Sequence, residues 1–382
     1  MYVSAWPGLT PRDILSRRRG ALTAAPYPLN APNRSSFFVA RGGIYHLIQA
    51  LELQPGEVVL APDYHSGTEV AAIRAAGATI AFYPVRRNLE LDLEALHRLA
   101  RQFPPRVLYV IHYLGWPQPM AEIEAFCAQY GSILIEDCAL AMLSAAGSRP
   151  LGAFGDYSIF CLYKSLPVPN GGMLVQNRQA LPKLAGLKLE PCPRAATAGR
   201  SVELALEALR SRFDATGKLF FQLKQAIGRR MRSSGVKHVP VGDIGWNPAN
   251  VNLAMSPVSD RVMEGLDYEE IRRRRRNNFN LLKQRLDGRV TMPRDELTDG
   301  VCPLFFPILV RDKSETAQAL RQRGIEAVEF WNHAANRPAI GPDASYLRTH
   351  LLELPIHQGV TNTQVEYIAA EVLRLKPESA PC

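Results

Sequence analysis

Short apolar runs alternate with stretches of helical periodicity from Phe37 to about residue 176, and this alternation constrains the fold more than any other feature. The runs have the length of buried strands, and the stretches between them place apolar residues on one face of a helix. The pattern is typical of a mostly parallel sheet with helices on both faces. The runs are EVVLAP (57–62), TIAFYPV (79–85), RVLYVIHY (106–113), SILIED (132–137), YSIFCLY (157–163) and GGMLVQ (171–176).

The segments before and after this region differ from it in pattern. Residues 1–35 are rich in proline, arginine and small residues, which predicts an irregular lead-in. We expect residues 36–250 to form a large α/β domain, with a basic helical insertion at about 200–240. Residues 251–382 are expected to form a smaller C-terminal α+β domain, opened by one long charged helix from about residue 256. The predicted fold class is therefore α/β.

The composition excludes several classes of protein. The chain has 382 residues, 47% hydrophobic and 21% charged, so it can bury a large core and is not disordered. Its six cysteines show no CxxC spacing or disulfide framework, which favours a reducing compartment. There is no apolar signal region and no run near the roughly 18 residues that span a bilayer, so we expect a cytoplasmic protein, at most peripheral to a membrane. The net charge of +9 permits a polyanionic partner.

Two residues that carry chemistry lie at the ends of predicted strands. Asp137 ends one apolar run, and Lys164 follows another. Ligands of open α/β sheets bind at the carboxyl ends of strands, so the two side chains can converge. A lysine there can form a Schiff base with an aldehyde, and a carboxylate can pair with a pyridinium nitrogen, as pyridoxal phosphate (PLP) requires. The alternatives are a helix N-cap for Asp137 and a solvated strand end for Lys164.

A glycine pair supplies a candidate phosphate site. Gly42 and Gly43 open the amphipathic stretch VARGGIYHLIQAL. Backbone N–H groups at the N-terminus of a helix bind phosphate without any particular side chain. With Asp137 and Lys164, the pair completes a three-part pattern in one order along the chain.

An ordered series of motifs extends this pattern over most of the chain. The motifs are RGGIYHL, APDYHSGTEVAAIRAAGA, IHYLGWPQPMAEIEAF, IEDCALA, YKSLPVPNGGML, NVNLAMSPVS and ELPIHQGVTNTQVEYIAAEVLRL. With them the chain resembles the DegT-type (DegT/StrS-like) sugar aminotransferase family, a branch of the fold type I PLP-dependent enzymes. That resemblance implies a fold type I transferase: a large domain with a mostly parallel sheet between helices, and a smaller C-terminal α+β domain.

The resemblance also implies roles for individual residues. Lys164 matches the Schiff-base lysine, which also moves the proton between cofactor and substrate carbon. Asp137 matches the partner of the pyridine nitrogen, and Gly42 and Gly43 match the start of the phosphate-binding helix. Asn252 matches an asparagine that reaches the cofactor of the neighbouring subunit, which implies a homodimer with shared active sites.

Three of the matched positions carry residues that depart from the family pattern. Leu140 stands where the family has a glutamine, so one polar contact to the cofactor is absent, and Ala254 stands where it has an arginine. Cys161 falls at the position of a phosphate-binding serine, and a thiol is a weaker donor. Ser158 is the alternative donor. These departures leave PLP as the expected cofactor and put the usual substrate in question.

The residues expected around the cofactor ring and the substrate are mostly aromatic. The family's ring-stacking aromatic falls on Ser66, and Tyr64 or His65 are the candidates to replace it. Trp331 and His333 follow a predicted strand in a region that faces the active site in the family, so both are candidate substrate residues. The histidines show no HExxH or similar spacing, and the sequence predicts no metal site.

The function implied by the resemblance is amino transfer from a donor amino acid, glutamate or glutamine, to a small-molecule keto substrate. The keto group would belong to a nucleotide-linked sugar or a related biosynthetic intermediate. One alternative is a PLP-dependent lyase, or an aminotransferase for a non-sugar carbonyl. A second is a non-catalytic regulator or scaffold with the same fold.

Two basic segments lie outside these motifs. The run Arg272 to Arg276 spreads around a helical period, which predicts a solvated helix paired with Glu269 and Glu270, and no nucleic-acid partner. Segment 218–237 interleaves lysine and arginine with apolar residues. It is interpreted as a helix packed on the large domain, with a flap over an anionic substrate or a peripheral contact with anionic lipid as alternatives.

Overall fold

A sheet of seven strands organises the computed structural model, which describes residues 1–16, 25–213, 245–331 and 341–380. The strands that belong to it are rich in apolar and β-branched residues, and β2, β8 and β9 are buried along their whole length. Two further strands, β6 and β7, pair as a short hairpin. The strands so far are β1 Arg34–Phe37, β2 Val58–Pro62, β3 Thr79–Tyr83, β4 Pro105–Ile111, β5 Ile133–Asp137, β6 Ala145–Ala146, β7 Arg149–Pro150, β8 Tyr157–Cys161 and β9 Gly172–Gln176.

The order of the strands places five parallel ones side by side. The sheet runs β1-β9-β8-β5-β4-β2-β3, and within the described residues all pairs from β8 to β3 are parallel. Strand β9 runs antiparallel to both of its neighbours. Ile111 lies opposite Asp137, and Asp137 lies opposite Ile159. The predicted mostly parallel sheet is confirmed, and the carboxyl ends of its parallel strands lie at one edge.

Helices connect and cover these strands. Several begin at a side-chain cap, as when Asp92 accepts from the backbone N–H of Ala95. In the described residues they are α1 Pro11–Leu15, α2 Ala40–Ala50, α3 Thr68–Ala75, α4 Leu93–Gln102, α5 Met120–Tyr130, α6 Leu162–Ser165, α7 Pro182–Ala185, α8 Arg194–Arg212, α9 Pro257–Gly265, α10 Tyr268–Leu286, α11 Lys313–Gln322, α12 Pro342–His350 and α13 Asn362–Leu375. None of them is long and apolar enough to cross a membrane. Segment 218–237 lies outside the described residues.

A second, antiparallel sheet lies in the C-terminal part of the chain. It pairs β10, Phe305–Leu309, with β11, Leu351–Pro355, and every residue of both strands is buried. Helices α10, α11 and α12 pack against it, and α13 packs against α10 and α11. The predicted domain boundary at residue 250 falls at a short 3₁₀ turn, Pro248–Asn250, and stays a prediction.

The predicted long helix from residue 256 is two helices. Leu266 has an extended backbone (ψ 147°) that ends α9, and the Asp267 side chain caps α10 by accepting from the N–H of Glu270. In the sequence, Asp267 resembles one more charged residue on the face of a long helix, but in the structure it is the N-cap of α10.

The predicted solvated arginine run is only partly correct. Arg273 and Arg274 pair with Glu270 on the exposed face of α10. Arg275 is only 2% exposed, and its guanidinium donates to the carbonyl oxygens of Ser165 and Leu304. Desolvation lowers the pKa of Arg275 to about 10. The prediction is therefore wrong for Arg275, which ties α10 to the turn that carries Lys164.

Gly172 allows the start of α2 to approach the sheet. It lies on β9 opposite Phe37 of β1, and a Cβ on it would stand 2.2 Å from the nitrogen of Ala40. Real Cβ atoms do not approach backbone this closely, so any side chain here displaces the first turn of α2. The glycine in the motif NGGML thus fixes where that helix begins.

We expect Gly172→Ala to lower the free energy of unfolding by about 1–3 kcal/mol, because the added methyl group overlaps the backbone of α2. Urea denaturation of the cofactor-free protein measures the change. Gly199→Ala is the matched control: a Cβ there meets no atom within 4 Å, and alanine in the exposed helix α8 should stabilise by up to about 1 kcal/mol. Equal stability of the two variants would contradict this account of Gly172.

Candidate active site

A cleft opens where the carboxyl ends of β5 and β8 meet. Its empty volume is about 500 Å³, including the part open to solvent. Asp137 and Lys164 both line it, so the structure brings the two predicted residues together. The predicted residues Cys161 and Trp331 line it as well.

Asp137 is a buried and well-held carboxyl group. It is 5% exposed; its Oδ2 accepts from the hydroxyl of Tyr109 at 2.6 Å and its Oδ1 accepts from the N–H of Ala139 at 2.9 Å. Burial, reinforced by the negative charge of Glu69, raises the pKa of Asp137 to about 6. A positively charged ring nitrogen beside it would favour the charged carboxylate.

Lys164 lies on α6, the single helical turn that follows β8. Its side chain is 7% exposed, and Nζ lies 5.4 Å from the ring centre of Phe330. The turn is held from behind, because Arg275 and Gln358 both donate to the carbonyl oxygen of Ser165 at 3.0 Å. The position of the lysine is therefore fixed by buried hydrogen bonds on the next residue.

The first turn of α2 faces the cleft, but the glycine pair lies deeper in the helix. Val39, Ala40 and Arg41 line the cleft, and the N-cap residue Val39 offers no side-chain acceptor to the first N–H groups. Gly42 and Gly43 are buried: a Cβ on Gly42 would stand 3.0 Å from the Val251 oxygen, and one on Gly43 would stand 3.3 Å from the ring of Phe37. The glycines thus serve close packing behind the candidate phosphate site.

Arg41 is a cation of the site that the sequence analysis missed. Its side chain lines the cleft at the start of α2, is 8% exposed, and donates to the carbonyl oxygen of Gly245 at 2.9 Å. A guanidinium beside open helix N–H groups adds a positive charge to an anion site. The sequence signal was the arginine directly before the glycine pair.

The two candidate ring-stacking residues lie outside the cleft lining. Tyr64 is buried, with its ring against Trp331 at 4.6 Å and Tyr113 at 5.5 Å. His65 is buried and stacks on Phe82 at 5.3 Å. Of these three neighbouring residues, Ser66 is the one that lines the cleft.

Glu69 is a second carboxylate of the cleft that the sequence analysis missed. It accepts from the backbone N–H of Ser66 at 2.7 Å and also from the Ser66 hydroxyl. Burial raises its pKa, but the positive charge of His65 and the Ser66 hydroxyl outweigh that effect, and the net pKa is lowered. The spacing S-x-x-E, which is typical of a capping box, was the available signal.

The two predicted candidates for the phosphate donor, Cys161 and Ser158, differ in their surroundings. Cys161 is 2% exposed and lines the cleft. Ser158, the alternative donor, is committed elsewhere, because its hydroxyl bonds to that of Tyr27 at 2.8 Å. Leu140, in place of the family's glutamine, lines the cleft and makes that wall apolar.

The remaining predicted site residues are the substrate candidates Trp331 and His333 and the subunit-contact candidate Asn252. Trp331 is 8% exposed and lines the cleft. Asn252 is exposed and lies near His46, outside this cleft, so its reach into a neighbouring subunit stays a prediction. His333 lies outside the described residues.

In the ranges that the structure describes, one group of side chains has the spacing of a metal site: His112, Glu136 and Cys138. Glu136 already accepts from His112 Nε2 and from the backbone N–H groups of Gly152, Phe154 and Gly155. His112 Nδ1 accepts from Gln118, and burial keeps the pKa of the Cys138 thiol well above its usual value. These groups form a structural network whose lone pairs are in use.

The residues of the cleft fit pyridoxal phosphate. Asp137 offers a carboxylate for a ring nitrogen and Lys164 an amine for an aldehyde, as the cofactor requires. The uncapped start of α2, with Arg41, offers N–H donors and a positive charge for a phosphate. The donor set and the burial of these residues agree with one another.

Solved structures of aminotransferases share the fold of this chain. Helicobacter pylori PseC, an aminotransferase involved in the biosynthesis of pseudoaminic acid, superposes with a TM-score of 0.68 at 15% identity, covering 98% of each chain. The sugar aminotransferase CalS13 from Micromonospora echinospora gives 0.65 at 18% identity, covering 97% of this chain and 99% of that one. The chain therefore has the fold of the type I PLP-dependent sugar aminotransferases.

The sequence comparisons find one family model and several partial relatives. Residues 40–197 match the model of the DegT/DnrJ/EryC1/StrS aminotransferase family, and over this part of the chain the match agrees with the resemblance indicated by the motifs. A dTDP-4-dehydro-2,3,6-trideoxy-D-glucose 4-aminotransferase from Saccharopolyspora spinosa is 30% identical over 178 residues, 45% of each chain. GDP-perosamine synthase from Vibrio cholerae is 29% identical over 133 residues, 34% of this chain and 36% of that one. These matches span less than half the length of the relatives.

We expect Asp137→Asn to change how stability depends on pH. Because the folded pKa of about 6 exceeds the usual 3.8, this group favours folding at acid pH and loses that contribution as pH rises from about 4 through 6. The asparagine variant should therefore gain stability relative to wild type by about 2 kcal/mol between pH 4 and pH 7. Urea denaturation of both cofactor-free proteins measures the difference. A difference that stays constant with pH would contradict the raised pKa.

Proposed function

We propose that this protein is a PLP-dependent aminotransferase that transfers an amino group from glutamate or glutamine to a keto group of a nucleotide-linked sugar. The convergence of Asp137 and Lys164 in one buried cleft carries the proposal. Partial sequence relatives include a dTDP-sugar 4-aminotransferase, GDP-perosamine synthase and a UDP-N-acetyl-3-dehydro-alpha-D-glucosamine 3-aminotransferase from Acidithiobacillus ferrooxidans. Their names support the substrate class.

The cofactor supplies an electron sink for the carbon that bears the reacting amine. Asp137 holds the site for the ring nitrogen, and the bonds from Tyr109 and Ala139 fix the direction of its carboxylate. Arg41 and the start of α2, which line the cleft, would hold the phosphate. Each group is therefore positioned by the fold before any ligand binds.

Lys164 performs the proton transfer in this proposal. Its amine would hold the cofactor aldehyde, and Nζ would move a proton to and from the substrate carbon. The burial of Lys164 excludes water, which would otherwise compete for that proton. The held turn of α6 returns Nζ to the same place in both halves of the reaction.

The proposal includes a homodimer in a reducing compartment such as the cytoplasm. Asn252 is exposed, so its side chain is accessible to a second subunit. Among the cysteines that the structure describes, no two are joined in a disulfide bond; they are Cys127, Cys138, Cys161, Cys192 and Cys302. Both observations are consistent with this part of the proposal.

We expect the purified protein with PLP to absorb visible light, and Lys164→Ala to remove that band and lower turnover more than about a thousandfold. Glutamate should bleach the wild-type band and release 2-oxoglutarate, because the amino group then resides on the cofactor. Absorbance spectra and an assay for 2-oxoglutarate measure both effects.

Lys183→Ala is the matched control, because Lys183 is an exposed lysine that pairs with Glu52 at the surface. This variant should keep the band and the turnover. A wild-type protein that stays colourless with PLP would refute the proposal. A coloured protein that no amino donor discharges would favour a non-catalytic role.

A further inference from the structure

Three buried charged side chains hold the backbone of two residues, Phe330 and Trp331, at the wall of the cleft. Lys313 Nζ donates to the Phe330 oxygen at 2.7 Å, and Glu353 Oε2 accepts from the Phe330 N–H at 3.2 Å. Arg348 Nη1 donates to the Trp331 oxygen at 3.0 Å. Lys313, Glu353 and Arg348 are 2%, 1% and 3% exposed.

Charges this deeply buried are costly to a fold. Burial lowers the pKa of Lys313 and raises that of Glu353 to about 7, which shows that each charge is disfavoured. Apolar residues would fill the same space without this cost. The presence of these three charged side chains is explained if their role is to hold the backbone of Phe330 and Trp331 in place.

The backbone at Trp331 needs support. Its φ of +57° lies in the left-handed region, which costs energy for a residue with a side chain. The conformation places the indole edge-on to Tyr64 at 4.6 Å and to Tyr113 at 5.8 Å, in the lining of the cleft. Strain of this kind persists where the surroundings enforce it, often at a functional site.

Arg348 also ties Trp331 to the loop that follows β2. Its Nη2 donates to the His65 oxygen at 2.8 Å and lies 3.4 Å from the Asp63 oxygen. These residues belong to the loop after β2, which carries Ser66 into the cleft. One guanidinium therefore sets the distance between two parts of the cleft lining.

The indole N–H of Trp331 is a buried donor, and within the described part of the chain no atom accepts from it. A donor shielded from water without an acceptor is unfavourable. Since the residue lines the cleft, a bound ligand can supply the missing acceptor.

We propose that Trp331 determines substrate binding by donating its indole N–H to an oxygen atom of the substrate, and that Arg348, Lys313 and Glu353 are positioning residues that hold it there. This inference rests on the proposed function. The acceptor is a carboxylate oxygen of the amino donor or its keto acid, or an oxygen of the sugar. In either case the indole N–H donates to an oxygen atom, and the experiment below shows which of the two molecules carries that oxygen.

The test compares two tryptophan variants. Trp331→Phe keeps the ring and removes the donor, so KM should rise about three- to tenfold while kcat stays within twofold. Trp116→Phe is the control: Trp116 is equally buried, but its N–H donates to the Glu296 oxygen at 2.8 Å. It should lose stability in urea and keep its KM, whereas Trp331→Phe should keep its stability.

Two half-reactions identify the acceptor. The enzyme loaded with pyridoxamine phosphate is titrated with 2-oxoglutarate in one arm and with dTDP-4-dehydro-2,3,6-trideoxy-D-glucose in the other. A higher KM for Trp331→Phe in either arm supports the inference and assigns the source of the oxygen. An unchanged KM in both arms overturns it.

A double variant tests the positioning role. Arg348→Lys keeps the charge but loses the fork that reaches two carbonyl groups, so its KM should rise as for Trp331→Phe. If Arg348 acts through Trp331, the KM of the double variant should exceed that of either single variant by less than twofold. If the increase in KM of the double variant equals the product of the increases in the two single variants, the positioning role is overturned, even if Trp331→Phe behaves as expected.

Failure of this inference is distinct from failure of the proposed function. A wild-type protein that forms the PLP band, is discharged by glutamate and shows no response to Trp331→Phe retains its function and loses only this assignment. A wild-type protein that never discharges the cofactor refutes both.

Discussion

The parallel pairing of β5 with β8 is the constraint on which the candidate site depends. It sets Asp137 opposite Ile159, so β8 ends two residues beyond and the turn of α6 brings Lys164 to the same edge. If β8 ran antiparallel to β5, its carboxyl end would lie at the opposite edge of the sheet and the lysine would face other loops. The two groups that a PLP enzyme needs are thus brought together by hydrogen bonds between backbones.

The direction of Asp137 depends on its neighbour in the strand. Successive strand residues point to opposite faces, so Glu136 must face away from the cleft if Asp137 faces it. Glu136 is fully buried and accepts from His112 and from three backbone N–H groups, including those of Gly152 and Gly155. A slip of one residue would bury Asp137 among donors placed for another side chain and turn Glu136 into the cleft. The buried network that resembles a metal site therefore keeps the register of the strand that carries the site.

The sequence predicted the placement of the strand-end residues well, because period and order along the chain carry that information. The parallel sheet and the convergence of Asp137 with Lys164 follow from apolar runs and from the rule for strand ends. Residues that act through distant partners left no such signal. Arg275 reads as one of five solvated arginines, yet it is buried on the carbonyl group beside Lys164. Arg348 belongs to no motif of the sequence, and its contact with Trp331 is formed only in the folded chain.

The buried arginines change the meaning of the positive charge of this chain. The excess of nine charges first suggests an anionic partner at the surface. Arg275 and Arg348 instead donate to carbonyl oxygens on two sides of the cleft, one beside Lys164 and one at Trp331. A guanidinium can bind two carbonyl groups in fixed directions at once, whereas a lysine amine cannot impose that geometry. Part of the basic composition is therefore used to hold backbone in place around the site, and net charge alone overstates the demand for an anionic ligand.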